Sequence, residues 1–214
     1  MAERPVTFSS ADGLKLEGLL DEGGPKGWAV LLHPHPLYGG EMRSAVIEAL
    51  QKAALREGFS TLRFNFRGVG SSEGSYGEGV REREDLRGAI DYLHSLGEKG
   101  PLIVAGYSFG SHVASAVAVE DERIDGLALI SPPLSMDDFG LLGDYAKPKL
   151  VVAGDRDFVC PLEDLQGFFS RLSEPKVLKI IQGCDHFYAW GMHTLAGKAF
   201  GEFLRDFFVR DEGD

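Results

Sequence analysis

The chain has 214 residues, of which 43% are hydrophobic and 26% are charged, a composition typical of a globular protein rather than a disordered one. Its 33 acidic and 22 basic residues give a formal net charge of −11, which disfavours nucleic acid and anionic membranes as partners. No apolar stretch reaches the roughly 18 residues of a transmembrane helix, and the first residues lack a signal-peptide pattern. We therefore expect one cytoplasmic domain that spans residues 1–214.

Short apolar segments alternate with longer amphipathic ones along the chain. Two β-rich runs, Val6–Ser9 and Leu14–Leu20, flank a turn signal and predict an antiparallel pair. Six more segments are predicted to be strands: Trp28–His33, Ser60–Phe66, Leu102–Tyr107, Gly126–Ile130, Leu150–Ala153 and Val177–Ile181. Five segments are predicted to be helices: Met42–Arg56, Arg81–Ser95, Ser108–Val119, Leu162–Leu172 and Thr194–Val209. This alternation predicts an α/β fold, a mostly parallel twisted sheet of about eight strands with helices on both faces.

One strand end carries a candidate nucleophile, and ligands of such sheets bind beyond the carboxyl ends of the strands. Residues 106–110 have the pattern G-x-S-x-G between a buried strand and a helix of small residues. The pattern predicts a sharp, strained turn that raises the Ser108 hydroxyl above the sheet, while the glycines allow close backbone approach. The Phe109 N–H lies in the first turn of the helix, where it can face an anion.

Two later strand ends supply the partners that a serine nucleophile needs. The hydroxyl requires a base within hydrogen-bond reach, and the base requires an acceptor that fixes its tautomer. Asp155 and Asp157 follow one predicted strand, and Asp185 and His186 follow the last one. The order Ser, Asp, His along the chain is that of one hydrolase fold.

These segments resemble the α/β-hydrolase superfamily over nearly the whole chain. Within it, the chain is most similar to small lidless serine hydrolases grouped with dienelactone-hydrolase-like proteins. The narrower resemblance is carried by HPHPLYGG at 33–40 and NFRGVGSSEG at 65–74, together with the serine, aspartate and histidine segments. The chain departs from dienelactone hydrolases proper, which use a cysteine nucleophile where this chain has Ser108, so the resemblance does not imply their substrate.

The resemblance implies Ser108 as nucleophile, His186 as base and Asp157 as the acid. In the pattern G-x-x-D-x-V-x-P the acid follows the glycine by three residues, which selects Asp157. Asp155 is the alternative acid, and its structural interpretation is a hydrogen bond that closes the turn. Asp185 adjoins His186 and would have to fold back to reach the inner ring nitrogen.

The resemblance also implies that two backbone N–H groups form an oxyanion hole. Phe109 supplies one donor, and the loop after the first parallel strand supplies the other. Pro34 and Pro36 have no N–H, and the family places the donor at His35, with Leu37 as the alternative.

Large apolar residues near the strand ends are candidate walls of a substrate pocket, and ordinary core packing is the alternative for about half of them. They are Leu37, Tyr38, Tyr76, Met136, Phe158, Phe187, Tyr188 and Trp190. The pair His33-x-His35 lacks further ligands at metal spacing, so we expect no metal, and the chemistry requires no cofactor. The segment from Pro132 to Pro148 is too short for a lid domain, and Met136–Leu142 is expected to form at most a short helix.

The sequence thus predicts a carboxylesterase-like serine hydrolase that cleaves esters or thioesters of small acyl substrates through an acyl-enzyme. A peptidase or acylaminoacyl amidase with the same three residues and a non-catalytic scaffold are the alternatives. Cys160 and Cys184 form either a disulfide between the acid and base loops or two buried thiols. The apolar last helix either packs in the core or contacts a second copy of the chain.

Overall fold

The computed structural model describes residues 3–97, 100–136 and 139–209, and for Leu141 only the backbone. The strands are β1 (Arg4–Ser9), β2 (Lys15–Asp21), β3 (Trp28–Leu32), β4 (Ser60–Phe64), β5 (Leu102–Tyr107), β6 (Gly126–Ile130), β7 (Lys149–Gly154) and β8 (Lys176–Ile181). The α-helices are α1 (Ala45–Arg56), α2 (Glu82–Ser95), α3 (Phe109–Ala118), α4 (Leu162–Arg171) and α5 (His193–Phe208). Each element lies within three residues of the bounds that the sequence predicts.

The eight strands form one sheet in the order β1-β2-β4-β3-β5-β6-β7-β8. Strands β3 to β8 are parallel, whereas β1 pairs antiparallel with β2, and β2 pairs antiparallel with β4. This confirms the predicted mostly parallel sheet with its antiparallel pair. Because β3 lies beside β5, and β7 beside β8, the loops that follow these strands are neighbours at the same edge of the sheet.

Helices cover both faces of the sheet, which explains why every residue of β3, β5, β6 and β7 is buried. The apolar faces of α1 and α5 form the core on one side. Those of α2, α3 and α4 form the core on the other side. In α5, Phe203 and Leu204 are buried in the core shared with α1, while Phe207 remains partly exposed. Core packing therefore accounts for much of the apolar character of the last helix.

The connection between β6 and β7 carries no lid domain in the part of the chain that the structure describes. Its regular structure there is a short 3-10 helix over Gly140–Asp144. The short helix expected over Met136–Leu142 falls partly on 137 and 138, which lie outside the described residues. Among the helices described, none has the length and apolar character needed to cross a membrane.

The glycine-rich loop after β4 is anchored by a buried cation. Arg67 donates to Asp85 through Nε at 3.0 Å and Nη2 at 2.7 Å, and to Asp12 through Nη1 at 3.0 Å. Farther along the same loop, the buried carboxylate of Glu82 accepts the N–H groups of Gly77 and Gly79 at 2.7 and 2.9 Å. These charge-assisted hydrogen bonds hold the loop against the first turn of α2, beside the carboxyl ends of the strands.

Candidate active site

Ser108 occupies the turn between β5 and α3 in a backbone conformation that residues other than glycine rarely adopt. Its φ is 51° and its ψ is −116°. A Cβ atom at Gly106 would overlap the carbonyl oxygen of Gly110, and a Cβ atom at Gly110 would overlap that of Leu32. Both flanking positions therefore require glycine. The Ser108 N–H donates to the carbonyl of Ile130 at 2.8 Å, which fixes the turn to the neighbouring strand.

Three side chains from distant parts of the sequence form one hydrogen-bonded row. Ser108 Oγ lies 3.0 Å from His186 Nε2, and His186 Nδ1 lies 2.9 and 3.0 Å from the two carboxylate oxygens of Asp157. All three side chains are buried. Asp157 Oδ1 also accepts the N–H groups of Val159 and Cys160, each at 3.0 Å. The structure thus brings together the three residues that the sequence singled out.

The row has the polarity that activation of a hydroxyl requires. Burial disfavours the charge of Asp157, but hydrogen bonds from His186, Ser131 and Cys160 outweigh burial and hold the pKa of Asp157 below its usual value. Because the Asp157 carboxylate accepts from Nδ1, the neutral imidazole carries its proton there and turns its Nε2 lone pair toward Ser108. The arrangement can therefore accept a proton from the serine.

The competing carboxylates have structural partners. Asp155 accepts the N–H of Gly183 at 2.6 Å, which ties the loop after β7 to the loop after β8. Asp185 accepts the N–H groups of Phe187 and Ala189 at 3.1 and 3.2 Å. These bonds match the turn-closing interpretation of Asp155, and the carboxylate against His186 is that of Asp157.

Cys160 and Cys184 are both free and buried, so the disulfide that the sequence left open is not formed. Burial raises the pKa of the Cys184 thiol to about 11 and that of the Cys160 thiol above its usual range. Both thiols therefore stay protonated at neutral pH, and the Cys184 thiol donates to the carbonyl of Asp185 at 3.3 Å.

The loop after β3 places His35 beside Ser108 in the wall of a cavity. The His35 Nδ1 accepts the N–H of Leu37 at 3.2 Å, and Nε2 lies 3.1 Å from the hydroxyl of Tyr76. The His35 imidazole therefore fixes the loop, and the Leu37 N–H points at that ring rather than into the cavity. This arrangement favours His35 over Leu37 as the second oxyanion donor, a role that stays a prediction.

The other histidine of this loop, His33, is fully buried. Its Nδ1 donates to the carbonyl of Pro34 at 2.7 Å, and its Nε2 accepts the N–H of Phe66 at 3.0 Å. Burial lowers the pKa of His33 to about 4. Both ring nitrogens thus form hydrogen bonds to backbone groups of two loops, so the neutral His33 side chain links the loop after β3 to the loop after β4.

A cavity of about 470 Å³ opens above Ser108. Four of the predicted wall residues line it: Tyr38, Met136, Phe158 and Phe187. Six further residues that the sequence did not suggest as pocket walls also line the cavity, and all but the tyrosine lack a polar side chain. They are Pro34, Gly39, Gly40, Tyr107, Pro133 and Val159.

The other four predicted wall residues do not line the cavity, and each has a physical reason. Tyr188 is buried beneath the site, where its hydroxyl lies 3.0 Å from Ser131 Oγ. Trp190 is 97% exposed to solvent and lies outside the cavity lining. Leu37 is exposed outside the cavity, and the Tyr76 hydroxyl lies against the His35 ring.

Tyr107 is a structural partner of the site that the sequence analysis missed. Its hydroxyl donates to the carbonyl of His186 at 2.6 Å, which fixes the loop that carries the base. Burial raises the pKa of Tyr107 far above its usual value, so the hydroxyl remains a donor. Its position in the sequence could have indicated this role, because Tyr107 directly precedes Ser108 and ends β5 beneath the site.

A family model of the alpha/beta hydrolase domain matches residues 29–196. The chain belongs to the alpha/beta hydrolase family. An uncharacterized protein of Rickettsia prowazekii is 33% identical to this hydrolase over an alignment of 185 residues, and the match covers 82% of this chain and 77% of the relative.

Solved structures with the same fold support a hydrolase activity. An alpha/beta serine hydrolase homologue from Coxiella burnetii superimposes on this hydrolase with a TM-score of 0.87 at 31% identity, covering 95% of this chain and 98% of the homologue. An alpha/beta serine hydrolase without a lid from Xanthomonas campestris has a TM-score of 0.88 at 27% identity, covering 99% and 97% of the two chains.

The strained turn predicts an unusual order of stabilities for two variants of the hydrolase. Ser108→Gly and Ser108→Ala both remove the hydrogen bond to His186, but only glycine relieves the positive φ. We expect Ser108→Gly to be more stable than Ser108→Ala by about 1–3 kcal/mol. Urea unfolding of the two variants measures the difference. Equal stabilities, or a more stable alanine variant, would show that the turn is not strained.

Buried His33 predicts a loss of stability in acid. Its folded-state pKa of about 4 lies below the unfolded value of 6.5, so the unfolded chain binds the proton first. Stability therefore falls as the pH drops from 6.5 toward 4, and His33 accounts for about 3 kcal/mol of the fall. His33→Gln retains an acceptor for the Phe66 N–H but does not titrate. Urea unfolding between pH 4 and pH 7 should give a flatter profile for this variant, and parallel profiles would contradict the prediction.

Proposed function

We propose that the protein is a serine hydrolase that cleaves carboxylic esters or thioesters of small acyl substrates. The observation that carries the proposal is the hydrogen-bonded row of Ser108, His186 and Asp157 at the floor of an open cavity. A serine hydroxyl is a weak nucleophile, and an adjacent base whose tautomer is fixed by a carboxylate activates it.

The reaction begins when Ser108 Oγ attacks the carbonyl carbon and His186 Nε2 takes the hydroxyl proton. The N–H groups of Phe109 and His35 donate to the oxyanion of the tetrahedral intermediate, and Asp157 stabilises the imidazolium. His186 then gives its proton to the leaving oxygen or sulfur, and the acyl group stays on Ser108. Water repeats the sequence with His186 as base and releases the acid.

The strain at Ser108 supports catalysis over a scaffold role. A non-glycine residue with this backbone conformation costs about 1–3 kcal/mol, and such strain clusters at functional sites. A scaffold gains nothing from that strain or from three buried polar side chains aligned in a row. The peptidase or amidase alternative shares the same chemistry and is separated from the ester hydrolase by the substrates that are turned over.

Substitution of the acid residue tests the proposal against a matched control. With nitrophenyl esters as substrates, Ser108→Ala should lower kcat by about 10⁶ and Asp157→Asn by about 10⁴. Asp155→Asn keeps the acceptor for the Gly183 N–H and should change kcat less than about tenfold. Steady-state kinetics with esters, thioesters and the corresponding nitroanilides give these values.

Full ester turnover by Ser108→Ala would overturn the assignment of the nucleophile. A larger loss for Asp155→Asn than for Asp157→Asn would move the acid to the other position. Faster cleavage of the nitroanilides than of the esters would favour the amidase alternative.

A further inference from the structure

Two phenylalanines stand beside the proposed base. The rings of Phe158 and Phe187 lie 6.2 and 5.7 Å from the His186 ring and 6.1 Å from each other, measured between centroids. Both side chains line the cavity, yet they are 67% and 69% exposed. These rings leave aromatic surface in water at the mouth of the cavity. Covering that surface with an apolar group is favourable, because it lowers the free energy.

The position of these two rings places them next to the leaving group of a bound ester. His186 must donate its proton to the leaving oxygen, so the leaving group lies against His186 during acylation. Phe158 and Phe187 flank the same imidazole. The leaving group therefore passes across these two rings, whereas the carbonyl oxygen faces the N–H groups of Phe109 and His35.

The charges around the cavity disfavour an anionic leaving group. Among the described residues that line the cavity, none is a lysine or an arginine. The carboxylate of Asp185 accepts the backbone N–H of Phe187, so a negative charge lies next to this wall. A carboxylate or phosphate placed there would lose water without gaining a counter-charge, in a protein whose net charge is −11.

We propose that the leaving group is an aromatic or other apolar alcohol without an anionic group, recognised by Phe158 and Phe187. This inference rests on the proposed ester hydrolase function and adds the chemical class of the alcohol. It makes the two phenylalanines specificity residues of the acylation step. Esters that share one acyl group give the same acyl-enzyme, so the preference arises in acylation, which kcat/KM reports, and leaves the rate of deacylation unchanged.

A set of acetate esters separates the alcohol from the acyl group. The substrates are benzyl acetate, ethyl acetate, 4-(acetoxymethyl)benzoate and the methyl ester of that benzoate, with release of acetate itself measured by chromatography, since the methyl ester holds a second ester bond. We expect kcat/KM of the wild-type enzyme for benzyl acetate to exceed that for ethyl acetate by about tenfold or more. The anionic benzoate should be turned over at least about tenfold more slowly than its neutral methyl ester.

Variants connect the preference to the two rings. Phe158→Ala and Phe187→Ala should each reduce the ratio of benzyl to ethyl kcat/KM by about fivefold, with ethyl acetate as the internal control for folding. Trp190→Ala is the matched aromatic control, because Trp190 is exposed outside the cavity, and its ratio should equal that of the wild-type enzyme.

The outcomes separate this inference from the function on which it rests. Equal kcat/KM for benzyl and ethyl acetate, or faster turnover of the anionic benzoate than of its methyl ester, overturns the inference and leaves the hydrolase proposal standing. An unchanged ratio in both phenylalanine variants also overturns it. Folded wild-type protein that hydrolyses none of the four esters overturns the proposed function itself.

Discussion

The site depends on one backbone constraint, the positive φ of Ser108 between β5 and α3. Glycine at 106 and 110 lets α3 approach β3 and β5 so closely that the chain reverses within one residue. That reversal lifts the hydroxyl above the sheet toward His186 and brings the first turn of α3, with the Phe109 N–H, to the same point. The adjacency of β3 and β5 then sets the His35 loop against the serine.

The second half of the site is a pair of loops, after β7 and after β8, that hydrogen bonds join to each other. Asp155 binds the N–H of Gly183, and the N–H of Arg156 donates to the carbonyl of Cys184 at 3.0 Å. Tyr107, one residue before the serine, donates to the carbonyl of His186 and links this pair to β5. Aligned polar groups that are held before the substrate arrives need no reorganisation during the reaction, which is the main source of electrostatic catalysis.

Apolar runs and helical spacing were sufficient to predict the strands, the helices and the parallel sheet, because each side of the sheet is covered by helices. The glycine-flanked serine and the candidate aspartates and histidine could be found in the sequence for a related reason, since parallel strands end at one edge of the sheet, whereas the choice of Asp157 among the aspartates came from the family resemblance. The walls of the cavity were predicted less well. Tyr188 and Trp190 both have a positive φ, which hydrophobic patterning does not predict, and the Tyr188 ring is buried in the core while the Trp190 side chain is exposed to solvent. Gly39 and Gly40 line the cavity with backbone atoms alone, so a search for large apolar side chains could not identify them.

Covalent trapping of the nucleophile tests the proposed role of Ser108 most directly. A fluorophosphonate reacts with a serine only where a base activates the hydroxyl and donors hold the phosphoryl oxygen. We expect a single adduct per chain by intact-mass spectrometry, mapped to Ser108 by peptide sequencing and absent from Ser108→Ala. Folded wild-type protein that forms no adduct, or one that carries it on another residue, would show that Ser108 is not an activated nucleophile.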